Sequence, residues 1–300
     1  PIRPPAPIVF EGNSAAAIRK NERLLKLLEQ TDYPPASSAV QAFVGEPVAI
    51  KEASAIPFRR QSGANVLMVG QQEESAVGIF SAMAASIAAQ QKPGEAILYL
   101  MDGTPTDSRY FGLLEKLMAA LPQKTNVVQW RNVPDAINEL STMLHARQGS
   151  GAGDNSGPSV YLLLFGLQRY RLLRHQEDDF SFGKSDEPDA PKPDKQFAEL
   201  LSEGPAVGLH TVIWADTPIT VERTLERASM RQFDHRILFQ MSASDSSNLI
   251  DSPLANRLGA HRALLYSEEQ GTVEKFRPYE VPDDAWLESL AVQLKNRPPA

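Results

Sequence analysis

The stretch from Asn65 to Gly78 constrains the chain more than any other. Asn65 to Val69 is a short apolar run of buried-strand length, and Gly70 ends it. From Ser75 onward small and apolar residues recur at helical spacing, with Ile79, Met83 and Ile87 on one face. A strand, a glycine turn and an apolar helix in that order commit the chain to a helix packed on the sheet that holds the strand. The middle of the chain keeps this rhythm. Strands are expected at 65–69, 96–101, 126–129, 159–165 and 209–215, and helices near 75–91, 108–121, 134–147 and 196–203. Apolar runs alternating with helices predict an α/β fold whose mainly parallel sheet is covered on both faces, with right-handed crossovers.

Strand, glycine turn and helix are also the frame of a phosphate-binding loop, in which backbone N–H groups and a helix N-terminus cradle phosphates. Against the pattern G-x-x-x-x-G-K-[ST], Gly70 takes the first glycine, and Gln71, Gln72, Glu73 and Glu74 take the open positions. Ser75 then stands at the second glycine, Ala76 at the lysine and Val77 at the hydroxyl. The lysine that meets the β/γ-phosphates and the hydroxyl that ligates Mg²⁺ are both absent. Glu73 and Glu74 place negative charge where phosphate would sit. No metal site and no cofactor are expected; ATP and Mg²⁺ would enter only if the loop binds them in an unusual way.

Composition narrows the function further. The chain has 300 residues, 42% hydrophobic, no cysteine and a formal net charge of −7. Thiolate chemistry, disulfides and cysteine zinc sites are excluded. The acidic balance disfavours a large nucleic-acid surface, so DNA is a possible partner that charge does not support. No apolar run approaches a membrane span, so no direct insertion is expected from this segment. His145, His175, His210, His235 and His261 lack metal-ligand spacing. Pro1 in place of an initiator Met, and the Arg297 to Ala300 end, suggest a segment of a longer protein.

The flanks are less regular. Residues 1–10 are proline-rich, Asn13 is a candidate cap for a helix over 14–29, and 44–50 reads as a strand. Residues 56–62 lead into the core strand and carry Arg59 and Arg60. Residues 148–158 read as a flexible Gly/Ser loop and 175–195 as an acidic, proline-rich insertion. A helix near 219–230, a strand at 235–240, a helix at 243–250, strands at 263–266 and 272–276, and a helix at 283–295 follow. The division is an N-terminal extension over 1–56, a core domain over 57–282, and a C-terminal helix and tail over 283–300.

The C-terminal third carries a family resemblance. Residues 233–259, with Asp245-Ser246, Leu249-Ile250-Asp251 and Leu258-Gly259 in step, resemble the FtsK/SpoIIIE motor stretch R-I-x-F-x-V-x-S-x-x-D-S-R-x-I-L-D-x-x-G-A-E-x-L-L-G. Residues 208–218 resemble that family's G-I-H-L-I-L-A-T-Q-R-P strand, with Asp216-Thr217 in place of Gln-Arg. Secretion ATPases of the EssC/EccC kind share these features. The resemblance implies a RecA-like P-loop fold, with strand 65–69 central and flanked by strands 159–165 and 209–215. It places the Walker B strand at 159–165, where the Asp and Glu positions hold Phe165 and Gly166.

The implied function is a pseudo-ATPase module of a larger cytoplasmic motor, with a membrane-anchored parent chain left open. Its partners would be neighbouring ATPase modules of the same or a homologous chain. An active DNA translocase and a module docking protein substrate in the vacated pocket are the alternatives. Asp102, Gln168, Asp216 and Thr217 are the expected pocket, and Arg231 and Arg257 the candidate trans-acting arginines. Phe165 and Leu167 either offer an apolar docking face or turn inward. Should the loop hold nucleotide after all, Arg59 and Arg60 are the first candidates for a replacement cation.

Overall fold

The computed structural model describes residues 14–49, 51–149, 157–176, 192–225 and 227–298. In chain order the strands are β1 (Val40–Pro47), β2 (Ser54–Phe58), β3 (Val66–Val69), β4 (Ala96–Asp102), β5 (Lys124–Val127), β6 (Ser159–Phe165), β7 (Leu209–Ala215), β8 (His235–Leu238), β9 (Ala263–Ser267) and β10 (Thr272–Pro278). The helices are α1 (Glu22–Glu29), α2 (Glu73–Gln90), α3 (Leu113–Ala120), α4 (Val133–Gly149), α5 (Pro193–Glu203), α6 (Pro218–Thr224), α7 (Ala243–Ile250) and α8 (Asp284–Lys295). All ten strands form one sheet in the order β2-β1-β10-β9-β8-β3-β7-β6-β4-β5. From β8 to β5 every pairing is parallel. From β8 outward through β9, β10, β1 and β2 every pairing is antiparallel.

The expected parallel α/β core is present, with one correction. β3 lies deep in the sheet beside β7 as expected, but its other neighbour is β8, not β6. β7 is inserted between β3 and β6, so those two strands do not touch. The expected arrangement has both β6 and β7 as direct neighbours of β3. Strand pairing is a long-range choice that no local pattern encodes.

Helix α2 is apolar all round, and every residue from Ser75 to Ala89 is buried. A helix without a polar face must be enclosed. The sheet covers one side of it, and α1, α3 and α8 pack in the same layer. Helices α4, α5, α6 and α7 cover the other face of the sheet. The Asn13 cap and the extended 1–10 segment lie outside the described residues, as do most of the 148–158 loop and the 175–195 insertion. The expected helix over 14–29 is a short 3-10 turn followed by α1, because Asn21 breaks the helix and caps the next one, accepting the Leu24 N–H at 3.0 Å. No helix among the described residues is long and apolar enough to cross a membrane.

Two buried histidines give the fold a pH signature. On β7, His210 stacks on Tyr161 with ring centroids 5.6 Å apart, and its Nδ1 donates to the Ala64 carbonyl at 2.9 Å. Burial pushes its pKa down to about 4. Burial does the same to His235 on β8, also to about 4. Unfolded imidazoles titrate near 6.5, so below that pH the unfolded chain binds protons that the fold refuses. Stability is therefore expected to fall by a few kcal/mol between about pH 6.5 and pH 4. Urea midpoints measured across that window check this. A chain carrying His210→Phe and His235→Phe should show a flatter profile, and an unchanged slope would refute the assignment.

Candidate functional site

The loop after β3 is shorter than a phosphate-binding loop requires. Helix α2 begins at Glu73, so only Gly70, Gln71 and Gln72 separate it from β3. Glu73 and Glu74 were expected in an open loop; they form the first helical turn. The Gly70 N–H donates to the Ala215 carbonyl at 3.0 Å, and the Glu73 N–H to Gln71 at 3.1 Å. Ala76 and Val77, at the lysine and hydroxyl positions, are fully buried against the sheet. Carboxylates near the positive end of an 18-residue helix stabilise it where a phosphate otherwise would. The connection after β4 closes over them. Ser108 Oγ donates to Glu73 at 2.9 Å, and Arg109 pairs with Glu74 at 2.7 Å while lying 4.7 Å over the Tyr110 ring. A groove of about 500 Å³ remains, lined by Gln71 to Ser75, Ser108 to Tyr110, Ala260 and His261.

Aromatic rings fill the space beneath the loop. Phe165, at the end of β6, is fully buried. Its ring lies 5.2 Å from Phe80 of α2, edge to face, and 4.4 Å from Trp214 of β7. The indole N–H of Trp214 donates to the Gly70 carbonyl at 3.0 Å, tying this plug to the loop. Leu167 is buried too. Of the two alternatives for Phe165 and Leu167, a docking face or an inward turn, the structure has the second: both side chains complete the core. Gly166 adopts φ +83°, a conformation a glutamate takes only under strain.

The remaining candidates line the carboxyl edge of the sheet in a row rather than closing one pocket. The Asp102 carboxylate, at the end of β4, accepts the Thr104 N–H at 2.9 Å and so caps its own turn. Gln168 accepts the Asp216 N–H at 3.3 Å. Asp216 accepts from Thr220 at 2.7 Å, and Thr217 caps α6. Arg257 is exposed on the 3-10 turn after α7, near this edge, whereas Arg231 is exposed just before β8, at the amino edge of the sheet. The structure thus separates the two proposed arginines. Arg59 and Arg60 also precede β3, and Arg59 faces Glu269 at 3.6 Å. The cation at the loop is Arg109, which the sequence reading missed. Trp214 was legible: it stands where the quoted family strand has alanine.

Neither a protein-family model nor a curated protein matches the sequence. Solved structures do match the fold. The cytoplasmic domain of the type VII secretion ATPase EccC of Thermomonospora curvata aligns with 94% of this chain at TM-score 0.63 and 13% identity. The pCW3 conjugation coupling protein TcpA, solved with ATPγS, aligns with 89% at TM-score 0.62 and 12% identity. The chain has the fold of the FtsK/SpoIIIE-type ATPase modules. EssC of Geobacillus thermodenitrificans, in a structure of its ATPases 2 and 3, aligns with 88% at TM-score 0.58 and 13% identity. The chain spans 34% of the EccC chain, 73% of the TcpA chain and 50% of the EssC chain. β3, the short loop and α2 follow one another in the order strand, turn, helix, and β6 ends at Phe165 without a carboxylate.

Proposed function

We propose that this chain is a pseudo-ATPase module that acts by assembling with, or regulating, a neighbouring ATPase module in a cytoplasmic motor. The aromatic cluster of Phe80, Phe165 and Trp214 carries the reading, since it seats a buried apolar ring where the resemblance expects the Walker B carboxylate, leaving no side chain there to hold Mg²⁺. Glu73 and Glu74 at the start of α2 support it, because they would repel a triphosphate. A fold shared with ATPases does not itself confer hydrolysis. A neighbouring module is the favoured partner because EssC and EccC structures of similar fold contain ATPases 2 and 3 in one chain. DNA is not favoured by a net charge of −7.

The test is calorimetry with Mg-ATP, alongside phosphate release. The lost lysine and hydroxyl contacts are worth about 1.5–3 kcal/mol each, or roughly two to four decades of affinity together. Binding is expected to be millimolar or undetectable, and turnover to stay at background. A micromolar Kd would refute the reading, and Arg109→Ala would then show whether that side chain replaces the missing lysine.

A further inference from the structure

We propose that the free edge of β5 and the adjoining Trp130 pocket form a docking site for an extended, acidic peptide segment of a partner protein, added to the sheet as a further strand. The sheet has two edges, β2 and β5. β2 carries Pro57, which has no N–H to offer an added strand. β5 has no proline, and no strand pairs with its outer side among the described residues. The Val128 N–H donates inward to Leu100 at 2.8 Å. Strand alternation then turns the N–H and C=O groups of Thr125 and Val127 outward, where they form a template for pairing.

The chain leaving β5 supplies anchors in line with that edge. Val127 is 37% exposed and Trp130 is 54% exposed. Trp130 rests on the buried Tyr170 ring, centroids 5.1 Å apart, so its position is fixed. It borders a pocket of about 400 Å³ completed by Asp102, Gly103, Thr104 and Arg169. A supported indole facing a pocket accepts an apolar side chain at little entropic cost. Arg169 is held through its Nε to the Gly103 carbonyl at 3.3 Å.

Charge selects the occupant. Lys124, Arg131 and Arg169 are all exposed, and none has an ion-pair partner among the described residues. Of the nearby carboxylates, Asp102 accepts the Thr104 N–H at 2.9 Å, Asp135 faces the positive end of α4 and Glu139 accepts the Tyr99 hydroxyl at 2.8 Å. In a chain of net charge −7, unpaired cations beside an open strand edge fit carboxylates of a partner. The complementary segment alternates apolar and acidic residues, as in other strand-addition complexes, where backbone bonds hold and alternate side chains select. This site lies several strands away from the loop after β3, so it stands whether or not that loop binds nucleotide.

The probe is an acetylated, amidated octapeptide alternating valine and glutamate, with a valine–lysine octapeptide as control. Trp214 and Trp286 are 5% and 6% exposed, so Trp130 dominates solvent-sensitive fluorescence. The acidic peptide is expected to shift that emission to the blue, saturably below about 1 mM. It should also slow amide exchange at Thr125 and Val127 several-fold, while the lysine peptide does neither. Thr125→Pro removes one outward N–H and no ladder bond, so it should abolish binding and leave the unfolding midpoint in place. If that variant misfolds, Arg169→Glu decides by the same exchange readout, with at least a tenfold loss of affinity expected. Absence of a saturable response, protection confined to other segments, or binding untouched by Thr125→Pro or by Arg169→Glu overturns the proposal.

Discussion

Replacing Phe165 by aspartate is expected to remove most of the stability of the fold. The ring is fully buried between Phe80 and Trp214. Losing a large core side chain costs about 3–5 kcal/mol. An aspartate there would add an unsatisfied polar group, costing about 1–3 kcal/mol more and further if it stays ionised. Set against a net stability of about 5–15 kcal/mol, the sum leaves little folded protein. Urea or thermal denaturation followed by circular dichroism measures it. Phe165→Leu keeps the apolar character and should cost about 1–2 kcal/mol, so a folded reference exists. If Phe165→Asp instead left the midpoint within about 0.5 kcal/mol, as surface substitutions do, the aromatic plug would not be core. The same variant should not restore nucleotide binding, although it places a carboxylate at the position where the resemblance expects one. The side chain at 165 faces α2 and Trp214, not the loop groove.

How legible these features were depends on the range of the interaction that sets them. Helix α7 was read at its observed bounds, and α8 within a residue, because their start signals are local. Ser242 accepts the Asp245 N–H at 3.1 Å, and Asp283 accepts the Trp286 N–H at 2.7 Å. β6 and β7 were read to the residue from uninterrupted apolar runs. The start of α2 was set two residues late, since Glu73 and Glu74 were taken for loop when acidic residues in a first turn are a start signal. β2 was missed because residues 56–62 read as a lead-in to the core strand, whereas Ser54–Phe58 forms an edge strand, where proline is tolerated. The facing of Phe165 was not legible. β6 is buried on both faces, so its apolar run has no period to say which way the last residue turns. Arg109 was missed for a different reason: it reaches the loop from 35 positions away, through a connection with no pattern of its own.

Gly78→Ala is expected to destabilise the chain, against the sign that helix propensity alone predicts. Gly78 lies inside α2, where alanine is ordinarily favoured over glycine by about 1 kcal/mol. A Cβ at this position would sit 2.0 Å from the Tyr279 carbonyl oxygen and 3.1 Å from that of Glu280. Those are backbone atoms and cannot rotate aside. Helix α2 presses directly on the chain leaving β10, and Tyr279 itself is fully buried. Overpacking of this kind costs about 1–3 kcal/mol, and more where a backbone must move, so a net loss of roughly 2 kcal/mol is expected despite the propensity gain. Gly149→Ala supplies the control: it ends α4 with nothing within 4 Å of the added carbon, and should be neutral or stabilising. Denaturation midpoints of the two variants should therefore move in opposite directions. A more stable Gly78→Ala chain would mean that α2 can slide away from β10. The positions of Glu73 and Glu74, and the shape of the loop groove, would then not be set by this contact.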